Sequence, residues 1–369
     1  MLEHTEIAVA TYMANVAKAN GVADTGKKKF TVSPAIQQKI VTRLRLTSSF
    51  LSMVNVTLVA AQEGEKLGVG ATRPIAGRTN TNTPGNRRIA TDPTSTTRLN
   101  TYRCEKTDSD YAFKYDKLDS WAHIPEFEKL LQEAVLTQQG IDKIMIAFNG
   151  THVAADTDKD TYPLLQDVNV GWIQQLRTDA PERIISYGEK DPQTKDAGGN
   201  VTHTGSIIVK ADGTGDYVNL DALVTDMKQL LDERTRTATD LVVILGANLA
   251  GKRTFTLVSS AGNDAEKALA LDVLRGKDTI GGLPSMQVPY FPANAIMITS
   301  LKNLSIYLQI GSQRRMLRDE PDYDQLANYE SFNEDYVIED YGKIAFAENI
   351  DLEGDGEIAN VPEEEGEGA

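Results

Sequence analysis

The chain has 369 residues and a formal net charge of −15 at pH 7, with 40% hydrophobic and 25% charged residues. This composition is typical of globular proteins and excludes wholesale disorder, a collagen-like chain and a disulfide-stapled miniprotein. The length predicts two or three domains, since a domain usually takes about 100 to 200 residues. The acidity argues against a general nucleic-acid binder, because counterion release needs a positive surface.

Signals for disulfides, export and membranes are missing. Cys104 is the only cysteine, which leaves no internal disulfide and no cysteine cluster for zinc, as expected in a reducing cytoplasm. Glu3, His4 and Glu6 stand where a secretory signal would carry basic residues, so we expect no export. The longest uncharged window, 279–301, is interrupted by glycines and prolines, and we therefore expect no membrane partner.

The N-terminal segment is predicted to form two helices separated by a linker. Apolar side chains recur at helical spacing over residues 3–20, which predicts an amphipathic helix. Residues 21–29 contain two glycines and three consecutive lysines, which is typical of a flexible linker that a protease can reach. Ser33 at a capping position and Pro34 at the first helical position predict a short arm helix next. We therefore expect the first helix to be detachable.

The segment from Gly64 to Asn100 is crowded with Thr, Asn, Gly and Pro and has too few large apolar residues to build a core. Loops of this length in compact domains are usually functional or disordered. Its basic residues are opposed only by Glu65 and Asp92 on an otherwise acidic chain. These basic residues are Lys66, Arg73, Arg78, Arg87, Arg88 and Arg98. We predict a long β-hairpin or extended arm that becomes ordered on an acidic neighbour, with a merely solvated loop as the alternative.

The remaining chain predicts a mixture of helices and strands. Tyr111, Phe113 and Tyr115 alternate as in a strand, and one apolar face from Phe127 to Phe148 predicts a long spine helix. Helices then alternate with strands from about residue 167, and strands dominate after Pro292. The predicted elements are helices at 170–176, 217–234 and 265–275 and strands at 241–245, 295–299, 304–310, 335–338 and 343–347. From residue 351 the tail is acidic, and we expect it to be solvated.

The sequence contains no G-x-S-x-G, H-E-x-x-H or G-x-x-x-x-G-K-[ST] motif and no G-x-G-x-x-G after a predicted strand, so we predict no catalytic residue and no cofactor. His4, His123, His152 and His203 are spread over unrelated elements, which favours structural or surface roles for them. Cys104 has no nearby histidine in the sequence and is predicted to be a passive thiol.

Two loops resemble ligand sites only weakly. Asp156, Asp158, Asp160 and Asp167 approach the spacing of a calcium loop, but Thr161 occupies the glycine position, so we predict no metal site. The turn at residues 212–216 could hold a phosphate on its amides. A turn that only caps a helix beginning at Tyr217 is the favoured interpretation.

The order of predicted elements resembles the HK97-type major capsid proteins of tailed bacteriophages, and several strings are similar to the peduovirus-type branch of that family. The strings are 28–32 (KKFTV), 64–70 (GEKLGVG), 118–122 (LDSWA), 147–150 (AFNG), 165–172 (LQDVNVGW), 215–223 (GDYVNLDAL), 288–293 (VPYFPA) and 328–331 (NYES). Each string is weak alone, but their shared order from about residue 5 to 347 is specific.

The resemblance implies an α+β HK97-type capsid fold with an N-terminal arm, an extended β-hairpin loop, a long spine helix with an antiparallel sheet, and an inserted α/β axial domain. The implied division of the chain is a scaffold-like or cleavable N-terminal segment (1–30), an arm (31–62), the extended loop (63–112), a peripheral domain (113–166 and 293–350), the axial domain (167–292) and an acidic tail (351–369).

The resemblance also implies the function of a structural protein without enzymatic activity. Subunits would form hexameric and pentameric capsomers of an icosahedral head that encloses double-stranded DNA without sequence-specific binding. The implied partners are other copies of the chain, a scaffold protein, a phage head protease and a portal. Assembly would take place in the host cytoplasm and the product would be the virion capsid. Phe30 and Thr31 match the region where family members are trimmed during maturation.

Two other functions remain open from the residues alone. The first is an α/β enzyme that uses residues 212–217 as a phosphate site. The second is a nucleic-acid-binding protein that uses the basic loop at 66–98.

Overall fold

The computed structural model describes residues 3–20, 22, 25–26, 29–66, 76–80, 82, 86–90, 101–121, 127–196, 198–199, 201–260 and 279–352. The predicted helix at 265–275 and the acidic tail beyond residue 352 lie outside the described residues. Among the described residues, no helix is both long enough and apolar enough to cross a membrane.

The chain divides into two compact units. Within the described residues, the first unit comprises 3–179 and 301–341, and the second comprises 180–300 and 342–352. These bounds differ from the predicted insert at 167–292, because residues 167–179 pack in the first unit, where Trp172 is fully buried. The assignment of the units as peripheral and axial domains stays a prediction.

The first unit contains helices that pack on a seven-stranded sheet. The helices are α1 (Glu3–Asn20), α2 (Pro34–Thr47), α3 (Ser49–Met53), α4 (Tyr115–Trp121), α5 (Phe127–Asn149) and α6 (Trp172–Asp179). The strands are β1 (Phe30–Thr31), β2 (Asn55–Val59), β5 (Glu105–Asp108), β6 (Tyr111–Lys114), β15 (Leu304–Gln309), β16 (Arg314–Glu320) and β17 (Gln325–Ile338). Their order in the sheet is β1-β16-β17-β15-β2, and β5 and β6 also pair with β17. A separate hairpin pairs β3 (Glu63–Glu65) with β4 (Thr101–Arg103).

Helix α5 confirms the predicted spine helix. It continues through Gly140, where a Cβ atom would lie 2.7 Å from the Thr47 hydroxyl oxygen, so the glycine permits close approach of α2. Near its C-terminal end, aromatic rings form the core of the unit. Phe148 lies 5.3 Å from Trp172 and 5.6 Å from Phe50 between ring centroids. Burial of these large rings stabilises the packing of α5 on the arm.

Strand β17 is the centre of the first sheet, pairing antiparallel with β15, β16, β5 and β6. The sequence predicts only its last residues, 335–338, as a strand. The difference arises because its earlier positions are mostly polar and do not alternate with apolar ones, and several of these polar side chains, among them Asn328 and Glu330, are buried through partners that are distant in the sequence.

The second unit is built on a six-stranded sheet. Its strands are β7 (Ile184–Ile185), β8 (Thr194–Lys195), β9 (Val201–His203), β10 (Ile207–Val209), β11 (Leu241–Leu245), β12 (Thr279–Ile280), β13 (Leu283–Met286), β14 (Ile296–Ser300), β18 (Ile344–Ala347) and β19 (Ile350–Leu352). The order in the main sheet is β12-β13-β11-β14-β18-β7; β10 and β19 form a separate parallel pair, and β8 and β9 form a hairpin. Its helices are α7 (Leu220–Met227) and α8 (Ala247–Ser260).

Helix α7 corrects the prediction of a helix over 217–234. It begins at Leu220 because the Asn219 side chain caps it, accepting a hydrogen bond of 2.8 Å from the Ala222 amide. It passes after Met227 into a 3₁₀ turn at Lys228–Leu230. Leu223, Val224 and Met227 are fully buried in the core of the unit.

Candidate functional site

The basic loop is anchored to the first unit at its root. Strands β3 and β4 pair in the antiparallel register that places Glu63 opposite Arg103. The next residue after β3, Lys66, is 6% exposed, donates a hydrogen bond of 2.7 Å to the Ile338 carbonyl oxygen and lies over the Tyr341 ring. Burial lowers the pKa of Lys66, although nearby carboxylates, among them Glu339, act in the opposite direction. The predicted inter-subunit residue Lys66 is therefore engaged within its own subunit.

Asp335 of β17 secures the other side of this root. One of its carboxylate oxygens accepts from the Arg103 amide at 2.9 Å, and the other accepts from the Tyr336 amide at 2.9 Å. Burial raises the pKa of Asp335 to about 7, although both amides and the Lys66 ammonium group act to lower it. The root is thus joined to β17 by buried polar contacts on both of its strands.

Beyond its root, the described part of the loop lies on the surface. Residues 76–80, 82 and 86–90 are all exposed and contain neither helix nor strand. Arg78, Arg87 and Arg88 are among them, and the Ile89 side chain is 77% exposed. Arg73 and Arg98 lie outside the described residues. The β-hairpin that was predicted for the loop is present in the described residues only at its base.

The N-terminal segment lies against the first unit. Val9 and Val16 of α1 are buried in two apolar clusters that include Leu326 and Leu317 of the sheet. In the predicted linker, Thr25 is 2% exposed and its carbonyl oxygen accepts from the Leu317 amide at 3.1 Å. At Thr25 the linker is therefore packed against the sheet, whereas Lys29 is exposed.

The predicted cleavage region is part of the sheet. Phe30 and Thr31 form β1, which pairs antiparallel with Arg315 and Arg314 of β16. Phe30 is 8% exposed. Ser33 follows as the N-cap of α2, but its hydroxyl makes no capping hydrogen bond to the described helix; its carbonyl oxygen accepts from the Gln37 amide at 2.9 Å.

Three amides of the turn at residues 212–216, those of Gly213, Thr214 and Asp216, already donate hydrogen bonds within the chain. Asp212 accepts hydrogen bonds from the Thr214 amide and hydroxyl at 2.8 and 2.7 Å, and Asp216 N–H donates to the Ile208 carbonyl oxygen at 2.7 Å. The Asp216 carboxylate also accepts from the Ile208 amide. Two carboxylates and internally bonded amides disfavour phosphate binding here.

The other weak candidates belong to local structure. The Asp158 carboxylate accepts a hydrogen bond of 2.7 Å from the Thr161 hydroxyl. This bond closes a turn in the segment whose aspartate spacing approaches that of a calcium loop. In the described part of the chain, no group of three or more His, Cys, Asp or Glu residues could hold a metal ion. Burial raises the pKa of the Cys104 thiol to about 12, which keeps it protonated and unreactive at neutral pH.

Comparison with known proteins identifies the family. The family described as phage major capsid protein, P2 family, matches residues 8–350. The chain belongs to the P2 family of phage major capsid proteins. It is 38% identical over 353 residues to the capsid proteins of Escherichia phage P2, with 95% of each sequence covered. It is 37% identical to the major capsid protein of Serratia phage KSP20, with 92% of this chain and 94% of that protein covered.

A solved structure supports the same conclusion. A chain from the procapsid of satellite phage P4 that includes the size determination (Sid) protein matches with a TM-score of 0.75 and 36% identity, covering 96% of this chain and 99% of that one. The predicted α+β HK97-type capsid fold is confirmed. The P2-family capsid protein is a viral structural protein that forms a multimeric, icosahedral shell, and its location is the virion capsid.

Sequence reasoning found the exposed arginines of the loop but missed the polar residues that anchor its root. Asp335 was placed in a predicted strand without a role, and Lys66 was grouped with the exposed basic residues. A signal was present in the sequence, since Asp335 directly precedes the apolar run 336–338. A carboxylate at such a position needs a buried partner.

Proposed function

We propose that this P2-family capsid protein forms hexameric and pentameric capsomers in which the basic loop of each subunit lies over a neighbouring copy. The observation that carries the proposal is the exposure of Arg78, Arg87, Arg88 and Ile89 on a loop whose root is anchored by Lys66 and Asp335. An anchored root limits the directions in which the loop can extend. The ordering entropy of its outer part is offset only when a partner covers it.

The assembled shell would enclose double-stranded DNA without reading its sequence. A net charge of −15 disfavours tight binding to phosphates, so DNA would be contained rather than gripped. We expect no catalytic activity. A scaffold protein, a phage head protease and a portal would act with the subunit during assembly in the host cytoplasm. The protease would remove residues 1–30 by cutting in the region of Phe30 and Thr31.

The loop assignment is tested by reversing charge at two exposed positions. The double substitution Arg87→Glu and Arg88→Glu should prevent particle formation, because like charges would face an acidic neighbour. The thermal midpoint of the dilute subunit should stay unchanged, because both side chains are exposed. Electron microscopy and thermal unfolding measure the two effects.

A charge-preserving variant controls for this experiment. Arg87→Lys with Arg88→Lys should still give particles, since both positive charges remain. Normal shells from the Glu variant would contradict an inter-subunit role for these arginines.

Trimming is tested separately by the intact mass of the capsid subunit in DNA-filled particles. We expect a chain that lacks residues 1–30. A full-length chain in mature particles would reject the trimming proposal and would leave the loop proposal standing.

A further inference from the structure

The proposed scission bond is held in a protected conformation. We call the described residues from Glu3 to Phe30 the strap. Phe30 and Thr31 pair with β16, and the residue that follows them, Val32, is 1% exposed and donates its amide to the Gln313 carbonyl oxygen at 2.9 Å. A protease usually binds its substrate as an extended strand through the backbone. Backbone groups of residues 30–32 on the side that faces β16 are already bonded to the subunit's own sheet, so a protease would have to detach the segment from β16 to surround it as an extended strand.

Contacts on the N-terminal side of the bond strengthen this protection. The Thr25 carbonyl oxygen accepts from the Leu317 amide, so the linker follows the same strand, β16, as β1 does. Val16 of α1 shares an apolar cluster with Phe30, Val32 and Leu317. The Arg315 guanidinium donates to the Tyr12 hydroxyl oxygen at 3.1 Å. Helix α1, the linker and β1 therefore all contact β16.

The same segment is nevertheless packed imperfectly. An apolar cavity lined by Val9, Tyr12, Leu131 and Leu317 lies beneath α1. The buried Thr5 hydroxyl and the Asn20 side-chain oxygen find no hydrogen-bond partner among the described residues. Strand β1 has only two residues. Cavities and buried unpaired oxygens weaken an interface, so the strap can open locally while the rest of the unit stays folded.

We propose that the strap shields the Phe30–Thr31 bond while it is docked on β16, and that trimming requires the strap to lift from this sheet edge. The inference rests on the proposed trimming at residues 30 and 31. Scission is a hydrolysis: the C–N bond between Phe30 and Thr31 breaks, and water supplies a hydroxyl group to the Phe30 carbonyl carbon and a proton to the Thr31 nitrogen. Val32 stays anchored on the body, so the cut separates the strap from a folded arm.

Chymotrypsin tests the proposal, because it cuts after aromatic residues and so cuts this bond itself. The full-length, unassembled subunit is digested, and mass spectrometry follows the appearance of the chain that begins at Thr31. We expect cutting at least about tenfold slower than in a synthetic peptide of residues 22–40, the factor that corresponds to about 1.4 kcal/mol. Cutting of the subunit at the rate of the peptide would overturn the proposal.

Variants separate strap opening from global unfolding. Val16→Ala should accelerate the cut by roughly tenfold, since about two buried methyl groups are lost from the strap interface. Val243→Ala removes the same groups from the core of the second unit and should leave the rate unchanged. Equal acceleration by both variants, or none by Val16→Ala, would overturn the proposal.

A stabilising variant and a measurement without protease keep the proposal testable if Val16→Ala folds poorly. The variant is Val9→Ile, which adds a methylene group at the cavity and should slow the cut by chymotrypsin. Hydrogen exchange of the Leu317 amide, which is bonded to Thr25, should slow by the same factor. Faster cutting together with slower exchange would mean that the strap does not control access to the bond. These assays use the free subunit, and they test only whether the strap protects the bond. The intact mass of the subunit in mature particles tests trimming itself, so a negative result in one experiment can be told from a negative result in the other.

Discussion

The strap and the basic loop are both extensions of the first unit, but they differ in how much of their surface is buried against that unit. The strap places Val9, Val16 and Phe30 against the sheet, and each is at most 9% exposed. The loop is fastened at its root by Lys66, while Ile89 in its outer part is 77% exposed. The strap thus finds a partner surface within its own subunit, whereas the outer loop does not in the residues described.

The difference follows from how apolar residues are spaced. The strap carries them at helical intervals, so one face of α1 can cover a groove between α4, α5 and the sheet. The loop carries single apolar residues among Thr, Asn, Gly and Pro, which cannot form a continuous face. A segment of the first kind can bury its apolar face within its own subunit, and a segment of the second kind cannot do so in the described residues.

The largest expected difference between the two regions comes from truncating one large apolar side chain in each. Leu317→Ala, beneath the strap, should lower the free energy of unfolding by about 2 to 5 kcal/mol, because Leu317 is 1% exposed and its loss leaves a cavity. Ile89→Ala should change it by less than about 0.5 kcal/mol, as is usual for exposed positions. Urea unfolding of the dilute subunit measures both.

We expect the opposite order when the yield of particles is compared for equal amounts of folded subunit of the two variants. Ile89→Ala should reduce assembly, whereas the folded Leu317→Ala subunit should assemble. A loss of stability on Ile89→Ala comparable to that of Leu317→Ala would contradict the distinction between a covered strap and an uncovered loop.

The sequence predicted the elements whose apolar patterns are local. The spine helix α5 and strands β11, β14, β15 and β18 lie where periodicity indicated them. Strand β17 was mostly missed, because Asn328 and Asn333 suggest a loop. In the structure Asn328 accepts from Arg315 at 2.7 Å, and Asn333 donates to Gln309 at 2.7 Å. Such partners are set by the tertiary fold and cannot be recognised from local composition.

A buried ion pair also could not be predicted from the local sequence. Glu334 of β17 is fully buried because it pairs with Lys143 of the spine helix. Neither residue carries a sequence signal of its own, since the two lie far apart in the chain. The candidate site was also predicted only in part. The excess of arginine in the sequence indicated the exposed part of the loop. The root of the loop was not predicted, because it depends on the tertiary contacts of Lys66 and Asp335.

The root of the loop joins its exposed outer part to the folded first unit. The free energy of unfolding should depend on pH through Asp335, which lies at this root. Burial raises its pKa from 3.8 to about 7 in the folded subunit. The folded state therefore holds this proton more tightly than the unfolded state does. The stabilising contribution is complete below about pH 4 and is lost as pH rises through about 7. The loss should amount to a few kcal/mol at most, since each unit of pKa corresponds to about 1.4 kcal/mol.

Asp335→Asn isolates this effect from that of other carboxylates. The difference in unfolding free energy between wild type and variant should shift in favour of the variant as pH rises from 4.5 to 8, because only the wild type must ionise a buried acid. Asp108→Asn, at an exposed carboxylate on neighbouring β5, is the matched control for the loss of one negative charge. Parallel pH profiles for wild type and Asp335→Asn would mean that the root is held without a buried titrating group. The anchoring of the loop would then depend on Lys66 and the β3–β4 hairpin alone.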